Sequence, residues 1–267
     1  MDNLHRRLAP ISSAAWEDME KEARRTLKRY MGARRVVDLV GPKGYDHSSV
    51  NLGHIQSIKS GFDGVDTVQR RILPLVEFKV PFTLNREQID NVARGAQDSD
   101  WQPLKDAALK LATAENAMVF DGLKSAGIEG MRPLSSNAPV PMPEKVEDIP
   151  EAVARAVDIL REVGVQGPYA LILGDDVFPQ IMGGADDGYP VMRHIRSLLD
   201  HDVIWCPGLT GGVALTLRGG DFQLHLGQDT TIGYDSHTAT EVVLYLLETA
   251  AFKLQTAEAL VSLPSKG

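Results

Sequence analysis

Between Gly44 and Leu84, apolar residues fall at Val50, Leu52, Ile55, Ile58, Val65, Val68, Ile72, Leu73, Leu75, Val76, Phe78 and Val80. These are strand-like runs, broken once by the turn sequence Gly61-Phe62-Asp63-Gly64, and they predict a long two-stranded arm. A hairpin standing alone is marginal in water. Its apolar positions and open edges therefore require a partner, either the rest of the chain or a second copy.

Ahead of the arm, Trp16, Met19, Ala23, Leu27, Tyr30 and Met31 recur at helical spacing behind the capping residues Ser12 and Ser13. Acidic residues lead this helix and basic ones close it, which suits the helix dipole. Arg34 to Val40 reads as a short extended segment. After the arm, Phe82 to Asn85 cap a short helix through Ile89 and Val92 that ends at Gly95. A long helix starts at Pro103 and buries Leu104, Ala108, Leu111, Met118 and Val119. Residues 131–143 read as a loop. Asp148 and Glu151 suggest a capping box for a helix through Leu160, closed by Gly164. Strands are expected at Tyr169–Leu173, Val203–Cys206, Val213–Leu217, Phe222–Leu226 and Glu241–Leu247, with helices over Val177–Met182 and around Met192 to Leu199. Arg218-Gly219-Gly220-Asp221 is expected to be a hairpin turn, and the tail from Ala250 continues in strand-like fashion.

Composition narrows the function classes. A net charge of −8 over 267 residues gives no support to a generally nucleic-acid-binding surface. Cys206 is the single cysteine, which rules out an intrachain disulfide framework and points to a reducing, cytoplasmic setting. Neither a signal peptide nor a membrane-spanning helix is expected, because no run of about eighteen apolar residues occurs.

The usual catalytic motifs are missing from the sequence, and Lys124-Ser125 lacks the glycine spacing of a phosphate loop. The seven histidines are scattered without metal-type spacing. The alternation around His225 predicts that it faces the polar side of its strand. Cys206 reads as a small buried hydrophobe. Asp186 and Asp187, in a glycine-rich loop, read as a solvated tip, or as a charged ring if copies met around a symmetry axis.

Several long blocks, in order along the chain, resemble encapsulins. They are Leu8-Ala9-Pro10-Ile11 before the helix with Trp16, Gly32 to Asp38 leading into Gly41-Pro42, Phe82 to Gly95, Gly167-Pro168-Tyr169, Arg218 to Phe222, Leu226 to Asp229 with Ile232-Gly233-Tyr234, and Glu248 to Ala259. The resemblance implies an α+β fold of the HK97 phage-capsid type, with a peripheral domain, an axial domain and an extended β-hairpin loop. By that resemblance residues 1–43 hold the N-terminal helix and first strand, 44–81 the extended loop, 82–130 the long helix, 131–226 the axial domain and 227–267 the return to the peripheral domain. The implied product is a homo-oligomeric icosahedral shell of about 60 copies (T=1).

Such shells take up cargo enzymes through a C-terminal peptide. The resemblance implies that Leu27, Tyr30, Arg34, Val37, Asp38, Asp229, Ile232 and Tyr234 contact that peptide. It also implies that Gly183, Gly184, Asp186, Asp187, Gly188 and Tyr189 line a pore gating small molecules. The segments Asp98 to Lys105 and Ile128 to Asn137 are similar to those of encapsulins enclosing dye-decolorising haem peroxidases, with a ferritin-like protein as the alternative cargo. No catalytic residue, metal or cofactor is expected. In flavin-binding members a tryptophan stands where this chain has Glu87. A prophage capsid protein, or a hydrolase or protease, is the alternative reading, and no nucleic-acid or membrane partner is expected.

Overall fold

The structure, a computed structural model, describes residues 3–186 and 188–265. Its organising element is a strand of fourteen residues near the C-terminal end. The chain reaches it by way of α1 (Ser13–Tyr30), β1 (Asp38–Val40), β2 (Ser49–Ile58), β3 (Thr67–Pro74), β4 (Val76–Asn85), α2 (Arg86–Ala93), α3 (Gln102–Phe120), β5 (Gly122–Leu123), β6 (Ile128–Glu129), α4 (Met131–Leu134) and α5 (Ile149–Glu162). There follow β7 (Tyr169–Leu173), α6 (Phe178–Gly183), β8 (Ala185–Asp186), β9 (Tyr189–Pro190), α7 (Val191–Leu198), β10 (Val203–Trp205), β11 (Gly212–Thr216), β12 (Phe222–Leu226), β13 (Thr231–His237), the long β14 (Glu241–Leu254) and β15 (Leu260–Leu263).

One edge of β14 is shared end to end. Its first half pairs with β13, from His237↔Val242 to Thr231↔Leu247, and its last residues pair with β12. The other edge takes β4 along its whole length, and β1 adds to β12 in parallel. Helix α3 lies against this sheet, with Leu104, Ala108, Leu111, Met118 and Val119 buried as their spacing predicts. Helix α1 packs on α3 through Ala15, Met19, Ala23 and Leu27. The predicted caps form: Ser12 Oγ accepts from Ala15 N–H and Asn85 Oδ1 from Glu87 N–H. A second sheet, ordered β10-β7-β11-β15, is covered by α5 and α7, and every residue of β7 is buried within it.

The arm is shorter than the sequence suggests. The two-stranded part is β2 with β3, and Val76 to Pro81, which the 44–81 range includes, belong to β4 in the five-stranded sheet. The arm carries apolar side chains in the open, Ile55 at 65% exposure and Phe62 at 74% among them. Near its base Val50 and Leu73 are buried in the core, and Leu52 packs against it. Two further boundaries shift: β12 lies in the first sheet, and β15 crosses back to the second.

Other local expectations are corrected by tertiary pairing. Arg34 to Val40 is extended only from Asp38, because Ala33–Arg35 form a 3-10 turn. Residues 131–143 contain the short helix α4. At the start of α5 no capping box forms, since a 3-10 turn over Val146–Asp148 runs directly into the helix and leaves Asp148 without a capping hydrogen bond. Arg218 to Asp221 is not a hairpin turn. It carries the chain from β11 in one sheet to β12 in the other, with Gly219 and Gly220 at φ +83° and +85° and an Arg218–Asp221 ion pair across the bend.

His225 lies on the polar side of β12, as its alternation predicts, but is buried there beside Gln223 with Lys43, His47 and Lys253 around it. Its Nε2 contacts Gln223 Oε1 at 3.2 Å, while Nδ1 is buried without a partner. Burial first, then the charges of Lys43 and Lys253 and the His47 ring, lower its pKa to about 4. A depressed imidazole pKa means that stability is complete above the ordinary value of about 6.5 and is lost as pH falls towards the folded value. Replacing His225 with Leu is therefore expected to flatten the decline of the thermal midpoint between neutral pH and pH 4, measured as the difference in slope between variant and parent.

Candidate functional site

A cleft of about 590 Å³ runs between α1 and the start of β13. Its floor follows from sequence spacing. Ala23 and Leu27 on α1 and Met31 at its C-cap lie four residues apart on one stripe, and Ile232 and Leu246 answer them from neighbouring strands of the sheet. Arg24, Lys28 and Arg35 stand on the rim with Glu20. The N-terminal segment braces the same region. Arg6 pairs with Glu20 at 2.5 Å and sits 4.1 Å above the Trp16 ring, and Tyr234 N–H donates to the Leu4 carbonyl at 2.8 Å.

Arg34 closes one end of the groove, held by a turn that α3 anchors. Asn116 Oδ1 accepts from Ala33 N–H at 3.0 Å, and its Nδ2 donates to the carbonyls of Tyr30 and Pro207. Arg34 Nε donates to Glu115 Oε2 at 2.8 Å, Nη1 to Asp229 Oδ1 at 2.7 Å and Nη2 to Glu248 Oε2 at 2.8 Å. Thr230 Oγ1 also donates to Glu248 Oε2, at 2.6 Å. Burial opposes the charge on Arg34, but the carboxylates of Glu115 and Glu248 outweigh it and raise its pKa. Burial, then the neighbouring Glu115, raise that of Glu248.

Four of the eight residues singled out for peptide contact line this groove: Leu27, Arg34, Asp229 and Ile232. The others point elsewhere. The Tyr30 ring packs edge-on against Trp205 at 5.6 Å and lines a separate hollow between α1 and α3. Val37 and Asp38 border a small hollow of about 170 Å³ near β1, where Asp38 Oδ2 accepts from Gly220 N–H at 2.6 Å. Tyr234 is buried, with its hydroxyl 2.6 Å from His237 Nδ1. Sequence reasoning missed Ala23 and Met31 as groove residues, although both sit one turn from Leu27. It also missed Glu115 and Glu248, each a lone acid inside an otherwise apolar run.

The glycine-rich loop is organised by the short β8–β9 pairing. Gly183, Gly188 and Tyr189 are exposed, and Asp186 is half-buried. Tyr189 stacks on His194 at 4.5 Å. A Cβ on Gly184 would lie 2.6 Å from Val146, so this glycine serves close packing. Asp187 lies outside the described residues. Cys206 is fully buried, and burial, reinforced by Asp175, raises its thiol pKa, as expected of a packing residue. Among the described residues no group of three or more His, Cys, Asp or Glu is placed to hold a metal ion, and no helix is long and apolar enough to cross a membrane.

A family model described as an encapsulating protein for peroxidase matches residues 1–251. The type 1 encapsulin shell protein of Rhodococcus erythropolis is 49% identical over 263 residues, covering 98% of this chain and 100% of the relative. The chain belongs to the encapsulin family. The type 1 shell protein of Mycobacterium tuberculosis is 46% identical over 98% of this chain and 99% of its own length. Among solved structures, the virus-like particle of Pyrococcus furiosus aligns with a TM-score of 0.62 at 17% identity, over 93% of this encapsulin and 98% of that chain. The capsid of the myovirus XM1 aligns at 0.51 with 10% identity, over 88% and 92% of the two chains. At those identities the likeness establishes the HK97-type fold alone. This encapsulin is a shell protein that builds a capsid-like, homo-oligomeric compartment.

Proposed function

We propose that this encapsulin forms the smallest icosahedral shell and takes up a cargo enzyme by docking its C-terminal peptide in the α1–β13 groove. The carrying observation is the groove itself, with its apolar floor, charged rim and anchored guanidinium at one end. β13 is the terminal strand of its sheet. Tyr234 N–H points off that edge to Leu4, so by the two-residue strand period the Ile232 N–H faces the same way. An extended peptide that lays apolar side chains on the floor can pair its backbone with this edge. A dye-decolorising haem peroxidase is the proposed cargo, supported by the family description and by the segments around Trp101 and Met131. A ferritin-like protein is the alternative cargo.

The second sheet with α5 to α7 forms the proposed axial domain. Its exposed loop, with Gly183, Gly188, Asp186 and Tyr189, forms the proposed pore rim, and Gly184 supports it from behind. About 60 copies of a 29.1 kDa chain give a particle of about 1.7 MDa, which native mass measurement checks directly.

The docking reading predicts that Ile232→Trp, which fills the groove from its floor on β13, leaves shells intact but lowers cargo loading at least about tenfold, or 1.4 kcal/mol. Mass spectrometry of particles from the native host measures the cargo-to-shell ratio. Unchanged loading in intact Ile232→Trp shells would place docking elsewhere.

A further inference from the structure

Beneath the groove wall one guanidinium faces three carboxylates. Glu115 comes from α3, Glu248 from β14 and Asp229 from the segment before β13, and Thr230 is their polar neighbour. Asp229 is exposed, whereas the side chains of Glu115 and Glu248 are both 0% exposed. Two fully buried acids thus share a single cation, which solvated Asp229 also engages. An ionised carboxylate in that position is costly enough that it takes up a proton instead.

The contacts differ between the two. Glu115 accepts from Arg34 through both oxygens, Oε1 and Oε2, at 3.1 and 2.8 Å from Nε, with Nη2 at 2.7 Å as well, an arrangement suited to an ionised group. Glu248 accepts only on Oε2, from Arg34 and Thr230, and its buried Oε1 has no partner. Both acids touch the same nitrogen, Arg34 Nη2, at 2.7 and 2.8 Å, so the two carboxyls are neighbours around one donor. Two ionised carboxylates have no proton to place between them. Cys206, the thiol near Glu115, stays neutral.

We propose that Glu248 is a neutral carboxylic acid at neutral pH that shares its proton with Glu115, and that this proton positions Arg34 at the end of the groove. Burial and the Glu115 charge both act in that direction. A carboxyl whose folded pKa is raised contributes stability that is complete below the ordinary value of about 4.3 and is lost as pH rises through the folded value. Alkaline pH, rather than acid, therefore loosens this end of the groove. The effect on docking rests on the peptide-binding reading, and the location of the proton does not.

Infrared spectroscopy of assembled shells labelled with ¹³C-glutamate tests the assignment. The expected result at neutral pH is a protonated-carboxyl C=O band in the parent. That band is lost in Glu248→Gln, and also in Glu115→Gln, where Glu248 ionises against Arg34. A parent without the band, or a band that persists in Glu248→Gln, overturns the proposal. If Glu248→Gln does not fold, pH titration of the parent decides the same point: the band must disappear on raising pH, in step with weakened shells. For the groove, a fluorescein-labelled peptide from the C-terminus of the host's dye-decolorising peroxidase should bind the parent at least about tenfold more weakly once the band is gone, and bind Glu248→Gln independently of pH. A correct band with no peptide binding at any pH would sink the docking reading and leave the proton where it is placed here.

Discussion

Arg34→Ala is expected to be among the most damaging single substitutions in the subunit, costing about 3–5 kcal/mol, because it strips the one cation that, among the described residues, contacts two fully buried carboxyls. Chemical denaturation of the subunit, or the yield of assembled shells, measures it. The cost should arise from the acids left behind rather than from the lost contacts. Combining Arg34→Ala with Glu115→Gln should therefore recover part of the loss, and the coupling between the two changes is read from a double-mutant cycle. Arg34→Lys should fall between, since an ammonium cannot contact Glu115, Asp229 and Glu248 with the geometry of the planar guanidinium. If Arg34→Ala proves as stable as the parent, the ionic end of the groove is not what holds α1, α3 and β14 in register.

Deleting residues 57–66 should leave a folded subunit that no longer closes into particles. The deletion removes the outer part of the arm, where Phe62 and Val65 are exposed, and spares the base, where Val50 pairs with Leu73 at the edge of the core. In the isolated subunit these apolar side chains gain nothing from the fold. Their stabilisation comes from burial against neighbouring copies, so losing them removes assembly energy without touching the core. Unchanged circular dichroism, with loss of hollow particles in negative-stain images, is the expected pair of results. Closed shells from the deletion would take the arm out of assembly.

How much of this was legible in the sequence depends on the range of the forces involved. Helices α1, α2 and α3, their caps at Ser12 and Asn85 and the apolar strand β7 were readable, because spacing and capping act within a few residues. The choice of strand partner was not. Val76 to Pro81 alternate as well as any arm strand, and only the presence of β14, more than 150 residues further along, draws them into the sheet. The same long-range choice sends Arg218 to Asp221 between two sheets and buries His225, whose strand alternates like a half-exposed one.

The candidate site divides in the same way. Leu27, Arg34, Asp229 and Ile232 follow from family likeness. Glu115 and Glu248 required knowing that α3 and β14 meet beneath one arginine. Their sequence signal was a charged residue interrupting an apolar face, which marks a buried network when the fold supplies a counter-charge. Tyr30, Val37, Asp38 and Tyr234 lie close to the groove in sequence but are engaged outside it: Tyr30 against Trp205, Val37 and Asp38 at the hollow near β1, and Tyr234, on the same sheet face as Ile232 but two residues further along, against His237.

The most direct test of the docking reading is a cryo-electron microscopy map of cargo-loaded shells purified from the native host. Extended peptide density running along the edge of β13, between Leu27 and Ile232 and ending near Arg34, is the predicted result. Loaded particles in which that groove is empty and the cargo is tethered at another surface would contradict it.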